Sequence, residues 1–306
     1  MYLRVSVTDR CNLRCTYCLP EDARFAPSRA TPEEVDRLMA AVCAAVPVHK
    51  IRLTGGEPTL CPSLAQHVRT AAWLVPTVGL TSNGMVLEPL LPGLREAGLT
   101  RLNISLDAAD PEGFRRASGR EGFATVLAAI RAAKRLGFAP LKVNAVATVD
   151  TDPVALTRLA IAEGFHLRFI ELMDIGLAHA DWQERHIASA VLQERLALNG
   201  LRVSETPERD EPTSRVWTVD GIDPQATTLG FITTVSDPFC ATCDRIRLTS
   251  GGRLHTCLFD EHGSDLLALL RADDLAGLTD TIRRAVGAKA PPPRFLRSGS
   301  MAAIGG

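Results

Sequence analysis

Two observations predict an α/β fold with a partly closed barrel. Strand-type and helix-type segments alternate six times between Tyr2 and Asn199, as a parallel sheet requires. The strands also carry polar residues on one face, where a sheet covered on both faces would be apolar throughout. Together they predict a partial (βα)6 barrel of TIM type over residues 1–200. A change of pattern after Asn199 predicts a smaller α+β domain over residues 201–306.

Tyr2–Thr8 alternates apolar and polar residues, as a strand between two environments does. Thr31-Pro32-Glu33-Glu34 joins a capping box to a proline at the first helical position, and opens a helix to about Ala45. Strand signals recur at Lys50–Thr54, Thr77–Thr81, Arg101–Asp107, Leu141–Val149 and His166–Leu172. Between them lie helix-type stretches at Leu64–Ala72, Glu88–Ala97, Phe123–Leu136 and Val154–Glu163, with a sixth from His186 to Leu198. Residues two apart on a strand share a face. Arg4, Ser6 and Thr8 therefore point together, as do Arg52 and Thr54, then Asn103, Ser105 and Asp107, and finally Lys142 and Asn144. Burying so many polar groups without partners costs about 2–7 kcal/mol each. A wet, ligand-filled lumen accommodates them. Beyond Asn199, proline and charge collect in Pro207–Pro212. Short β-like runs follow at Arg215–Val219 and Thr228–Thr234, then a helix-type segment at Asp273–Val286 and a Pro/Arg/Ser/Gly tail.

The 306 residues carry a net charge of −1, so no global field points to nucleic acid or to a membrane surface. No apolar run is long enough to span a bilayer. The start reads directly into a strand without the apolar core of an export signal, which leads us to expect a cytoplasmic protein. In that compartment the eight cysteines serve metals or catalysis rather than disulfides.

Cys11-x3-Cys15-x2-Cys18 sits just past the first strand. Three thiolates can hold three irons of a [4Fe–4S] cube and leave the fourth open, whereas cubes that only carry electrons take four cysteines. A zinc knuckle completed by a distant ligand has the same spacing. Cys240-x2-Cys243-x13-Cys257 repeats the three-cysteine pattern, and His255 or His262 offers a fourth zinc ligand there. Cys43, among small apolar neighbours, reads as core, and Cys61 as structural. The histidines form no H-x-x-x-H pattern, which argues against hydrolytic metal chemistry.

Cys-x3-Cys-x-aromatic-Cys after the first strand resembles the signature of the radical S-adenosylmethionine superfamily, with Tyr17 at the aromatic position. Thr54-Gly55-Gly56-Glu57-Pro58 is similar to that superfamily's GGEP motif, Ser105 to its ribose or carboxylate contact, and Met173 to its adenine-packing position. The resemblance implies that a [4Fe–4S] cluster on Cys11, Cys15 and Cys18 chelates S-adenosylmethionine. Tyr17, Gly56, Ser105 and Met173 would bind that cofactor.

The second cysteine set, with Arg245-Ile246-Arg247 behind it and Gly305-Gly306 at the end, resembles the GTP 3′,8-cyclases, lyases of molybdenum-cofactor biosynthesis. This likeness runs from Tyr2 to Gly306. It implies a second [4Fe–4S] cluster on Cys240, Cys243 and Cys257 that binds guanine, and a glycine tail that reaches the active site. It also implies a GTP site of Arg4, Arg52, Thr81, Lys142, Arg245, Ile246 and Arg247, with Arg245 and Arg247 catalytic. An electron donor, a homodimer, and transfer of the product to cyclic pyranopterin monophosphate synthase follow from the same likeness. The alternative of a peptide-modifying radical enzyme fits less well, because those carry a seven-cysteine auxiliary domain.

Overall fold

The computed structural model describes residues 1–25, 29–206, 214–292, 296–297 and 301–304. The Pro207–Pro212 stretch and Gly305-Gly306 lie outside the described residues. Strands are β1 (Tyr2–Ser6), β2 (Lys50–Thr54), β3 (Thr77–Ser82), β4 (Arg101–Ser105), β5 (Lys142–Ala147), β6 (His166–Glu171), β7 (Asp174–Ile175), β8 (Val203–Glu205), β9 (Arg215–Val219), β10 (Leu229–Ile232), β11 (Arg245–Leu248), β12 (Arg253–His255), β13 (Ser264–Asp265) and β14 (Leu296–Arg297). Helices are α1 (Pro32–Ala45), α2 (Leu64–Leu74), α3 (Leu91–Glu96), α4 (Pro111–Ser118), α5 (Phe123–Arg135), α6 (Pro153–Glu163), α7 (Trp182–Arg185), α8 (Ser189–Leu198), α9 (Leu266–Arg271), α10 (Leu275–Gly287) and α11 (Met301–Ile304).

All six expected strands and their parallel order are present, from β1 through β6. The region after residue 200, expected as a smaller domain, adds strands to both edges of the same sheet. β11 pairs parallel with β1, and β10 pairs parallel with β6. Eight parallel strands result, flanked by β12–β13 on one side and β9–β8 on the other.

Strand parity separates two faces. Ile246, Leu3, Ile51 and Val78 are register neighbours, as are Leu248, Val5, Leu53 and Leu80, and these eight are buried against the helices. The opposite parity puts Arg247, Arg4 and Arg52 side by side on β11, β1 and β2. Gly79 comes next in that row. A Cβ there would lie 2.9 Å from the Arg52 guanidinium carbon, so the missing side chain makes room for the arginine. α1 starts at the expected capping box: Glu34 N donates to Thr31 Oγ1 and Thr31 N donates to the Glu34 carboxylate. Arg271 of α9 also donates to Glu34, and α9 and α10 pack on α1. Among the described residues no helix is long and apolar enough to cross a membrane.

Candidate active site

The polar strand faces open into one cavity of about 310 Å³. The loop after β1 brings Cys11, Cys15 and Cys18 to its wall, and several elements fasten that loop. The end of α4 accepts from it, through Arg14 N to Ser118 O (2.8 Å) and Thr16 N to Ala117 O (3.1 Å). Tyr17 Oη donates to Asp107 Oδ2 at 2.8 Å, while Asp107 Oδ1 accepts from Val146 N. Asn83 donates to Asn12 Oδ1 at 2.8 Å. The Gly55-Gly56 turn lies directly on the loop. A Cβ on Gly55 would be 2.3 Å from Thr8 O, and one on Gly56 would be 2.5 Å from Asp9 O and Arg10 O. Gly56 N donates to Thr8 O, and Glu57 N to Arg10 O.

The two glycines seat the turn on the cysteine loop. Both Glu57 oxygens already accept, Oε1 from Thr59 and Ser82 (2.8 Å) and Oε2 from Asn83 N (2.6 Å). Burial raises the Glu57 pKa.

On the facing wall, Cys240 and Cys243 flank a short 3-10 turn, and Cys257 follows β12. Lys289 Nζ ties this region together by donating to Arg245 O (2.9 Å) and Thr256 O. Burial pushes the Cys15 thiol well above its usual range, and the neighbouring Asp107, Cys18 and Cys11 add to it. Burial and then Cys11 raise Cys18 to about 12. Cys240 is raised by burial and by Cys257 and Cys243. Each set is thus a group of mutually repelling soft donors, which a cationic centre would convert to thiolates. Among the described residues no three His, Cys, Asp or Glu side chains converge as one bound ion requires. Thiolates are the ligands that iron–sulfur clusters take, so the donor chemistry of each set is compatible with such a body.

Between the two thiol sets lies a concentration of positive charge. Burial lowers the Arg4 pKa to about 10; Tyr2 opposes that shift, while Arg245 and Arg52 add to it. Burial, then Arg4 and Arg245, pull Arg247 well below its usual range. Arg245 stacks over Tyr2 (5.7 Å) and Phe239 (5.9 Å). Guanidiniums crowded this way favour a polyanion, whose charge offsets their repulsion. Thr54 Oγ1 is buried in the same wall with no hydrogen-bond partner among the described residues, as a hydroxyl facing a ligand site would be.

Sequence comparison agrees with this geometry. Residues 5–150 match the family model described as the Radical SAM superfamily, and residues 165–294 match that described as Molybdenum Cofactor Synthesis C. The GTP 3′,8-cyclase of Mycolicibacterium smegmatis is 40% identical over 89% of this chain and 78% of its own length. GTP 3′,8-cyclase 2 of Mycobacterium tuberculosis is 41% identical over 89% and 79%. The chain belongs to the GTP 3′,8-cyclase family. Membership of the radical SAM superfamily brings a [4Fe–4S] cluster and S-adenosylmethionine. Among solved structures, Streptococcus suis SuiB superposes with a TM-score of 0.58 at 14% identity, over 90% of this chain and 66% of that one, a likeness of fold.

For a GTP 3′,8-cyclase the placement of the expected residues is uneven. All six cluster cysteines line the one cavity, with Tyr17, Gly56, Ser105, Met173, Arg4, Thr81, Arg245 and Arg247. Arg52, Lys142 and Ile246 are outside its lining. Arg52 is 2% exposed beneath the wall, donating to Tyr2 Oη and Leu80 O. Lys142 is buried beside Asn103 and His166. The Ile246 side chain has the apolar parity of Leu3 and faces the helices. Sequence reasoning missed Arg168, which lines the cavity and donates to Asn144 Oδ1 at 3.0 Å. Applying strand parity to His166–Leu172 would have found it. Glu171 was also missed. It accepts from Ser189 N, Val235 N and Ser236, so it joins β6 to the loop that leads to Cys240.

Proposed function

We propose that this chain is a radical S-adenosylmethionine GTP 3′,8-cyclase, a lyase that converts GTP to (8S)-3′,8-cyclo-7,8-dihydroguanosine 5′-triphosphate in molybdenum-cofactor biosynthesis. The observation that carries the reading is that Arg4, Arg245 and Arg247 line the same cavity as the two three-cysteine sets. Cys11, Cys15 and Cys18 hold the cluster that binds S-adenosylmethionine, and Cys240, Cys243 and Cys257 hold a second. When bound, the first cluster and S-adenosylmethionine would supply the chemistry that takes a hydrogen atom from the substrate.

The chain's own residues bind, orient and exclude water. Arg4, Arg245 and Arg247 offer forked donors to a triphosphate, and Thr81 and Arg168 border the same space. Arg52 acts through Tyr2 and Leu80 O, holding the wall on which the row stands. Fixing the triphosphate at one end sets the ribose relative to the first cysteine loop. Tyr17, Gly56, Ser105 and Met173 frame the cofactor. The protein works in the cytoplasm with an electron donor, and its product passes to cyclic pyranopterin monophosphate synthase.

Anaerobic reconstitution followed by iron and sulfide counting tests this. About eight irons per chain are expected for two four-iron cubes. With dithionite, S-adenosylmethionine and GTP, mass spectrometry is expected to detect 5′-deoxyadenosine and the cyclised nucleotide. Zinc in place of iron, with no cleavage, contradicts the reading.

A further inference from the structure

Glu171, the last residue of β6, is 1% exposed, and its carboxylate is shared among three parts of the chain. Oε1 accepts from Ser189 N at 2.9 Å and from Ser236 Oγ. Oε2 accepts from Val235 N at 3.0 Å and Ser236 N at 2.8 Å. Ser189 opens α8, whose cap residue Ala188 has no side-chain oxygen, so the carboxylate serves that helix N-terminus. Burial works against the charge, but the donors from Ser236, Ser189 and Val235 outweigh it and the Glu171 pKa is lowered.

The segment that Glu171 holds leads to the second cysteine set. Cys240 comes four residues after Ser236, and Cys243 N donates to Cys240 O at 3.2 Å, so the two cysteines move together. Their turn, Cys240–Thr242, buries none of its residues, so core packing contributes little to its placement. The other ties on the segment are weaker. Thr233 Oγ1 donates to Asp237 O at 3.0 Å within the segment itself, and Arg215 pairs with Asp237 where both side chains are exposed. β6, in contrast, is held in the sheet by β5 and β10. Glu171 thus passes the fixed position of a strand to a turn that lacks one of its own.

We propose that Glu171 is a positioning residue for the second cysteine set, fixing Cys240 and Cys243 where a cluster seats on them; this rests on the two-cluster reading above. Groups that orient ligands without touching the metal typically change its affinity about 10- to 100-fold when removed.

The test uses the full chain in two backgrounds, both reconstituted anaerobically. In one, Cys11→Ala, Cys15→Ala and Cys18→Ala confine iron to the second set. In the other, Cys240→Ala, Cys243→Ala and Cys257→Ala confine it to the first. Iron release to a chelator is timed in each, with and without Glu171→Gln, which turns one acceptor oxygen into a donor facing N–H groups. Release from the second set is expected to be at least about ten-fold faster in Glu171→Gln, with release from the first set unchanged. Because Glu171 is buried, Ser236→Ala serves as a second variant that leaves β6 and α8 intact. It is expected to act in the same direction on the second set by a smaller factor. Equal acceleration in both backgrounds overturns the proposal, since the carboxylate would then support the fold alone. So does second-set release that both variants leave unchanged. A second-set background that takes up no iron even with Glu171 intact overturns the two-cluster reading and the proposal with it.

Discussion

Arg4, Arg52 and Arg247 stand on three adjacent strands, and their repulsion is set by register alone. Removing one should weaken polyanion binding while easing the charge on the others. A charge-assisted hydrogen bond contributes about 1.5–3 kcal/mol, so Arg247→Ala is expected to weaken GTP binding roughly 10- to 150-fold. Titration calorimetry checks this, and unchanged affinity would remove Arg247 from the site. A second residue-scale prediction concerns pH. Burial alone would lower the His67 pKa, but Asp36 and Cys61 raise it from 6.5 to about 9. A raised histidine contributes stability that is full below pH 6.5 and lost as pH rises through 9. Thermal midpoints should therefore fall across that window more steeply in the unmodified protein than in His67→Gln. Which residues were legible follows from locality. The cysteines and Arg4 were found because spacing and parity are local properties. Arg52 was placed on the correct face, but its depth beneath Tyr2 and Gly79 depends on neighbouring strands. Ile246 came from motif likeness, and its parity with Leu3 only becomes visible once β11 is known to pair with β1.

At the scale of elements, the glycine turn and the cysteine loop act as one unit. A Cβ at Gly56 would sit 2.5 Å from two carbonyl oxygens, closer than contact allows. Gly56→Ala is expected to push the cysteine loop off its seat, at a cost of about 1–3 kcal/mol. Iron bound by the first set and S-adenosylmethionine cleavage should both drop, while circular dichroism stays unchanged. Full iron content in this variant would show that the loop does not depend on the turn. α4 is one of the short helices that the sequence pattern does not signal. Its eight residues, Pro111–Ser118, hold Phe114 as their one large apolar side chain, although Asp110-Pro111 is a start signal and Asp110 caps it. α9 was missed as well, and the expected Asp273–Val286 helix is α10, beginning at Leu275. The capping box, in contrast, located the α1 start to the residue.

The whole molecule depends on pairings between distant parts of the chain. β11 covers one edge of the six-strand sheet and β10 covers the other, through partners about 240 and 60 residues away. Such pairings leave no trace in local pattern, which is why the joining of residues 201–306 to both sheet edges was not legible. A fragment of residues 1–200 is expected to expose the β1 and β6 edges and to aggregate rather than fold alone. A monodisperse, cooperatively unfolding fragment in size-exclusion and thermal experiments would contradict this. The intact chain is built so that Arg245 and Arg247 arrive on β11, which joins the first set's sheet, with the second thiol set beside it. The most direct test of that arrangement is to incubate the reconstituted enzyme with dithionite, S-adenosylmethionine and GTP deuterated at C3′. Mass spectrometry should find deuterium in 5′-deoxyadenosine, with product formed only when GTP is present. Unlabelled 5′-deoxyadenosine formed at the same rate without GTP would contradict it.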